Sequence, residues 1–286
     1  MDFARWNGGF AYGSVKPIIH RELGHSASGG LSKRVRHFIH RRFPRDSFVS
    51  GGNGSGNGNG SAPTGPNFEA ERRAMVARQI RHRGIRSPRV IDAMETVPRH
   101  LFVPPEHTPA AYADSPLPIG EGQTISQPYM VAAMAEALSL EGPERLLEVG
   151  AGSGYQAAVL SRLAREVIAV ETQPALADAA RERLARLGFA NVRVEQGDGS
   201  LGWPADAPYD AILVAAGAPA IPQPLVDQLA EGGRLVIPVG PADHQELVRI
   251  TKKEGKIFRE ALFACRFVPL IGSHGWPPAS AESTEI

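Results

Sequence analysis

Apolar positions along this chain switch repeatedly between a strand-like and a helix-like period. Arg145 to Gly150 (RLLEVG) is a short apolar run of strand type, and Tyr155 to Ala164 (YQAAVLSRLA) follows with helical spacing at Ala158, Leu160 and Leu163. Glu166 to Glu171 (EVIAVE) returns to a strand. Pro174 to Gly188 predicts a helix with Leu176, Ala180, Leu184 and Leu187 on one face and Gly188 as its stop. A strand at Val192 to Glu195, a buried-type strand at Tyr209 to Ala216, a helix at Pro224 to Ala230 and a strand at Arg234 to Val239 continue the series. A hairpin is expected to turn near Glu254-Gly255. Upstream, Asn67 to Arg83 reads as a helix with an N-cap, early acids and a Met75, Val76, Gln79, Ile80 stripe, and Ser87-Pro88 starts another through Met94. Strands alternating with helices imply an α/β fold whose mostly parallel, doubly wound sheet is covered by helices on both faces, with an antiparallel C-terminal hairpin.

Candidate chemistry lies in the turn after the first strong strand. Gly150, Gly152 and Gly154 stand between strand and helix, where missing side chains let a ligand approach the backbone. The next strand ends in Glu171, about twenty residues beyond the turn, where an acid accepts hydrogen bonds from ribose hydroxyls. A dinucleotide fingerprint requires Gly or Ala at the sixth position of G-x-G-x-x-G, and this chain has Tyr155 there. It also places Glu148 two residues before the first glycine, where a carboxylate repels a diphosphate but suits an ammonium group. A glycine turn that merely packs a helix on a strand is the plainer alternative. Asp198, in Gly197-Asp198-Gly199, equally suits an ordinary turn. Ser126, ahead of Gln127-Pro128 and a helix, fits an N-cap, and a helix start also favours a carboxylate.

The pattern E-x-G-x-G-x-G resembles the first motif of class I methyltransferases that use S-adenosylmethionine. The runs YADSPLPIGEGQTISQPYMVAAMAEAL, LEVGAGSGYQ, YDAILVAAGAPAIPQPLVDQL, RLVIPVG and RFVPL further resemble the protein-L-isoaspartate O-methyltransferase family from about Glu69 to Gly272. The resemblance implies a Rossmann-like class I methyltransferase fold and repair of isoaspartyl residues in damaged proteins by methylation of their α-carboxyl. It implies S-adenosylmethionine bound by Thr124, Ile125, Ser126, Glu148, Gly150, Gly152, Gly154, Glu171, Asp198 and Gly199. Ser126 is then the catalytic residue beside the methyl and the substrate carboxylate. Ile119 and Val268 are expected to touch an extended peptide, though Val268 reads equally well as core. A class I methyltransferase acting on a small molecule or RNA would need a base or an N-P-P-Y type motif after the fourth strand, where Ala215-Ala216-Gly217 stands instead. The intact acids argue against a non-catalytic adenosyl-binding module.

Composition narrows the setting. The chain has 286 residues, a net charge of +1 and a single cysteine, Cys265, so no intrachain disulfide forms and a reducing, cytoplasmic location is expected. No run is apolar enough to span a membrane, and the N-terminus lacks the hydrophobic stretch of a secretory signal. His82, His100 and His107 are expected on the surface or in loops, without a metal-ligand spacing, so no metal is expected. The Arg-rich first helix reads as a solvated face, with a nucleic-acid patch as the alternative. A monomer is expected. Residues 1–66 are expected to be a disordered basic extension with a Gly/Asn/Ser linker, 67–272 the catalytic domain, and 273–286 a disordered tail. The extension is read as functionless, as a contact for anionic surfaces, or as a mitochondrial-type presequence. Within the linker, Asn53-Gly54, Asn57-Gly58 and Asn59-Gly60 are pairs where isoaspartate forms readily, within reach of the enzyme's own site.

Overall fold

Helix and strand starts follow local chemistry closely. A computed structural model describes residues 66–278; the expectations for the extension and its Asn-Gly pairs lie outside the described residues. Helix α1 (Phe68–Met75) is capped by Asn67, whose side chain accepts from the Ala70 amide at 3.0 Å, and α2 (Pro88–Thr96) by Ser87, with proline at its first position. Beyond Met75 the expected helix widens into a π-helical turn, Val76–Arg81, with the His82 amide bonded to the Ala77 carbonyl at 3.2 Å. That widening buries both Val76 and Ile80 while Gln79 reaches the Tyr112 carbonyl at 2.8 Å. The arginines of this face pair within the chain, Arg73 with Glu69, Arg81 with Glu95 and Arg83 with Asp114.

A small antiparallel pair, β1 (Leu117–Gly120) and β2 (Gln123–Ile125), leads into α3 (Pro128–Ala137). Ser126 is not the cap of α3, contrary to the sequence expectation. Proline excludes helical backbone from the residue before it, so Gln127 takes the cap position at ψ 140° and Ser126 is left one residue outside the helix. Gln127 is tied instead to Asp114 at 2.7 Å.

The remaining elements are β3 (Arg145–Val149), α4 (Tyr155–Leu160), β4 (Glu166–Glu171), α5 (Pro174–Arg186), β5 (Val192–Gln196), β6 (Tyr209–Val214), α6 (Gln223–Asp227), β7 (Leu229–Val239), β8 (Gln245–Lys253) and β9 (Lys256–Cys265). Seven strands form one sheet in the order β5-β4-β3-β6-β7-β8-β9, parallel from β5 to β7 and antiparallel over the last two pairings. The sheet is class I methyltransferase-like and Rossmann-like, as expected. Glu254 and Gly255 turn the final hairpin with φ of 53° and 68°, values that match the twist of the flanking strands. Successive strands are added outward on one side from β3 to β5 and on the other from β6 onward, so the C-terminal ends of β3 and β6 frame a crevice, the usual ligand position in such sheets. β3 has neighbours on both sides and almost no exposed side chain, which is why its run is continuously apolar apart from Glu148.

Several boundaries differ from periodicity. α4 stops at Leu160, four residues early, because Asn191 at the entry to β5 accepts the role of its end cap: its side-chain amide donates to the carbonyls of Ser161 (2.9 Å) and Ala164 (3.4 Å). β7 begins at Leu229 because Tyr209 pairs with that residue and donates to the Gln228 carbonyl at 2.9 Å, which draws Leu229 and Ala230 out of the expected helix. The described residues run past Gly272 through Pro278, and there Trp276 donates its indole N–H to the Gly217 carbonyl at 3.1 Å and Ser273 bonds Asp198.

Asn191→Ala leaves these partly buried carbonyls without a protein donor, and is expected to lower stability by about 1–2 kcal/mol. A urea midpoint at unchanged slope measures it.

Candidate active site

The glycine turn after β3 is built on the end of β4. Gly150, Gly152 and Gly154 have φ of 92°, 52° and 83°, a left-handed path that side chains with a Cβ resist. The Gly150 and Ala151 amides donate to the Val170 carbonyl (2.8 and 3.2 Å), and the Gly152 amide donates to Glu171 Oε2 at 2.8 Å. A Cβ on Gly154 would lie 3.1 Å from Leu184 of α5, so the third glycine also serves helix packing. Tyr155, first residue of α4, is fully buried with the Arg99 guanidinium 4.9 Å over its ring, and burial pushes its hydroxyl up to about 12.

A cleft opens over this turn. Thr124, Ile125 and Ser126 line one wall, Gly150, Gly152 and Glu171 the floor, and Gly199 and Val268 the far side. Gly199 is constrained sterically: a Cβ there would sit 2.5 Å from Val149 Cγ1. Ile119 is not on the cleft wall; its Cδ1 packs over the turn, 3.3 Å from where a Gly152 Cβ would stand. Sequence reasoning overlooked Ile271 and Gln156, which also line the cleft. Gln156 follows the glycine turn directly and could have been found by its position; Ile271 carries no such signal.

The three acids differ in kind. Glu171 accepts one bond on each oxygen, from Gly152 and from the Gln173 amide at 3.0 Å, leaving further lone pairs toward the cleft. Glu148 is fully buried, and among the described residues neither of its carboxylate oxygens receives a hydrogen bond. Burial, with a smaller repulsion from Glu171, raises its pKa well above the ordinary value. Asp198 stands at the rim, outside the cleft lining, and accepts from Ser200 and Ser273. Burial pushes its carboxyl up, but the hydrogen bonds from Ser200 and Ser273 outweigh this and hold it below the ordinary range.

These residues fit an adenosyl cofactor. A buried carboxylate without a partner calls for a cation, and the ammonium of a methionine moiety is one. Glu171 retains the acceptor capacity that a ribose diol uses. His100, expected on the surface or in a loop, lies half-buried in a short 3-10 turn (Arg99–Phe102), stacked on Phe68 at 4.1 Å and bonded to Tyr112 at 2.7 Å. Burial pushes the Cys265 thiol up to about 12, which keeps it unreactive. Among the described residues no helix is long and apolar enough to cross a membrane.

Comparison with known proteins agrees with this geometry. A family model described as protein-L-isoaspartate(D-aspartate) O-methyltransferase matches residues 70–275. The protein-L-isoaspartate O-methyltransferase of Methanoculleus marisnigri is 57% identical over 206 residues, covering 72% of this chain and 94% of the relative. Protein-L-isoaspartate O-methyltransferase 1 of Rhodopseudomonas palustris is 59% identical over 219 residues, covering 76% and 89%. A solved protein-L-isoaspartate O-methyltransferase superposes with a TM-score of 0.65 at 30% identity, covering 71% of this chain and 67% of the other. A Plasmodium falciparum beta-aspartate methyltransferase in complex with S-adenosyl-L-homocysteine superposes at 0.61 with 29% identity, covering 70% and 98%. The chain belongs to the protein-L-isoaspartate(D-aspartate) O-methyltransferase family.

Proposed function

We propose that this chain carries out the family reaction through the cleft over the glycine turn, with Ser126 as its catalytic residue. The enzyme transfers a methyl group from S-adenosylmethionine to the α-carboxyl of L-isoaspartyl residues in damaged proteins. The observation that supports the assignment is a buried Glu148 without a hydrogen-bond donor, two residues before a glycine turn whose cleft Thr124, Ile125 and Ser126 also line.

When bound, the cofactor supplies an electrophilic methyl on a sulfonium. The nucleophile is a carboxylate with a free pKa of about 3.5, ionised at neutral pH, so no side chain has to remove a proton. The residues therefore orient and desolvate. Glu148 takes the ammonium, Glu171 the ribose hydroxyls, and Gly150, Gly152 and Gly154 admit the ligand backbone-close. Asp198 and Gly199 take the adenine end, with Thr124 and Ile125 completing the cofactor wall. Ser126 donates its hydroxyl to the substrate carboxylate, and its place outside α3 leaves that hydroxyl uncommitted to the helix. Ile119 and Val268 flank the peptide. Alignment of this kind contributes on the order of 7–11 kcal/mol in favourable cases. The product ester then closes unaided: the next backbone amide nitrogen attacks the ester carbonyl, methanol leaves, and the succinimide opens partly to normal aspartate.

A monomer in the cytoplasm, acting on protein and not nucleic acid, and using no metal, completes the proposal. Cys265 as sole cysteine supports the compartment. Arg73, Arg81 and Arg83 of the first helical segment pair with acids of the same chain, and the open edge of β9 carries Lys256, Arg259 and Glu260, charges that oppose strand addition. Residues 1–66 and 273–286 are read as flanking the catalytic domain, and Ser273 at the start of the second flank bonds Asp198.

Methyl release from paired isoaspartyl and aspartyl peptides tests the activity, with turnover expected on the isoaspartyl peptide only. Ser126→Ala is expected to lose about 100-fold in kcat/KM while keeping S-adenosylhomocysteine affinity; full turnover in that variant would overturn the role. Glu148→Gln is expected to weaken S-adenosylhomocysteine binding about 10- to 100-fold, the size of a charge-assisted hydrogen bond, read by calorimetry. Its effect on stability has the opposite sign. Because the folded protein holds a proton on Glu148 more tightly than the unfolded chain does, cofactor-free stability falls as pH rises through the ordinary value of 4.5 toward the raised one. Urea midpoints across that window should lose this contribution in Glu148→Gln, leaving the variant the more stable protein at neutral pH.

A further inference from the structure

The segment after β9 makes a set of contacts that methyl transfer leaves unused. It crosses the C-terminal end of the sheet, where Gly217 donates to the Val268 carbonyl (2.8 Å) and accepts from the Leu270 amide (2.8 Å) and the Trp276 indole (3.1 Å). The chain then closes a short turn, with the Trp276 amide on the Leu270 carbonyl at 2.7 Å and the Gly272 amide on the Trp276 carbonyl at 3.1 Å. From this turn Ser273 donates its amide (2.7 Å) and hydroxyl (2.8 Å) to Asp198 Oδ2. Ser200 donates its amide (2.9 Å) and hydroxyl (2.6 Å) to Asp198 Oδ1, and accepts from the His274 amide at 2.9 Å.

A carboxylate has about four lone-pair sites, and these four donors fill them. Glu171, with two donors, keeps room for a ligand; Asp198 in this arrangement does not. The two pairs of donors also differ. Ser200 is fully buried and lies in the same turn as Asp198, so its bonds are local and permanent. Ser273 is exposed and arrives from 75 positions away, so its bonds are the ones that can be exchanged. The approach is close enough to require Gly272, where a Cβ would lie 2.0 Å from Asp198 Oδ1.

We propose that the turn Gly272–Trp276 is a latch on the cofactor site, in which Ser273 occupies Asp198 in place of the adenine 6-amino group, and that adenosyl binding exchanges one donor for the other. The proposal rests on the assignment of Asp198 to the adenine end. Cofactor affinity is then set in part by the strength of the latch, and the exchange frees the segment that also carries Val268 and Ile271 along the cleft.

Calorimetry on the full chain with two ligands separates the latch from the assignment on which it rests. S-adenosylhomocysteine has the 6-amino group; S-inosylhomocysteine has a 6-oxo group and cannot donate there. The wild type is expected to favour the adenosyl ligand. Ser273→Ala, with one bond to Asp198 removed, should bind that ligand about three- to tenfold more tightly. Gly272→Ala, which blocks closure sterically, should bind it at least as tightly as Ser273→Ala does. Ser273→Thr, which keeps both donors, should match the wild type, and the inosyl ligand should bind all four proteins alike. If the wild type does not distinguish the two ligands, the assignment of Asp198 fails and the latch with it. If the wild type does distinguish them while Ser273→Ala and Gly272→Ala bind the adenosyl ligand no better than it does, Asp198 keeps its role and the latch alone is refuted.

Discussion

The bond from the Gly152 amide to Glu171 is the constraint on which the rest of the site depends. It joins the turn after β3 to the end of β4, and together with the Val170 carbonyl it holds three alternate positive-φ glycines, Gly150, Gly152 and Gly154, in one path. That path leads directly into the buried helix α4 and still leaves Glu171 with unused acceptor sites. A Cβ at any of the three glycines would oppose it through φ alone. The parallel sheet is what makes the bond possible, since β3 and β4 end side by side only when they run in the same direction.

Charge is arranged around this turn according to burial. Glu148 lies below it without a donor, Glu171 beside it with two, and Asp198 at the rim with four. The number of donors rises as burial falls, so the most buried acid is the one that most needs a ligand. An isolated carboxylate at Glu148 is unfavourable for the cofactor-free protein and favourable for a cationic ligand, which places part of the binding free energy in the fold itself. The reaction needs little beyond this, because its nucleophile is already ionised. Few groups in the cleft are poised to move protons, and the side chains that matter are those that orient.

The C-terminal segment shows how long-range closure refines a site that local sequence outlines. Gly217, just beyond β6, bonds Val268, Leu270 and Trp276, so the loop at the switch point and the end of the chain form one wall. Proline at 128 has a comparable effect upstream: by keeping Gln127 extended it sets where α3 starts and leaves Ser126 facing the cleft. Both devices are single residues whose consequence appears only in a neighbouring element.

Periodicity and glycine spacing determined the alternation of strands and helices, the hairpin at Glu254-Gly255 and the glycine turn, because each depends on interactions within about ten residues. The same local chemistry placed the caps at Asn67 and Ser87. Strand order, the π-helical turn at Val76–Arg81, the early end of α4 and the early start of β7 were decided by partners far along the chain, including Tyr112, Asn191 and Tyr209. Glu148 and Asp198 looked alike as acids beside glycines. Only tertiary structure separated them, one buried with no donor and the other saturated by Ser200 together with a serine 75 positions away, because the number of donors around a carboxylate is a property of packing and not of spacing.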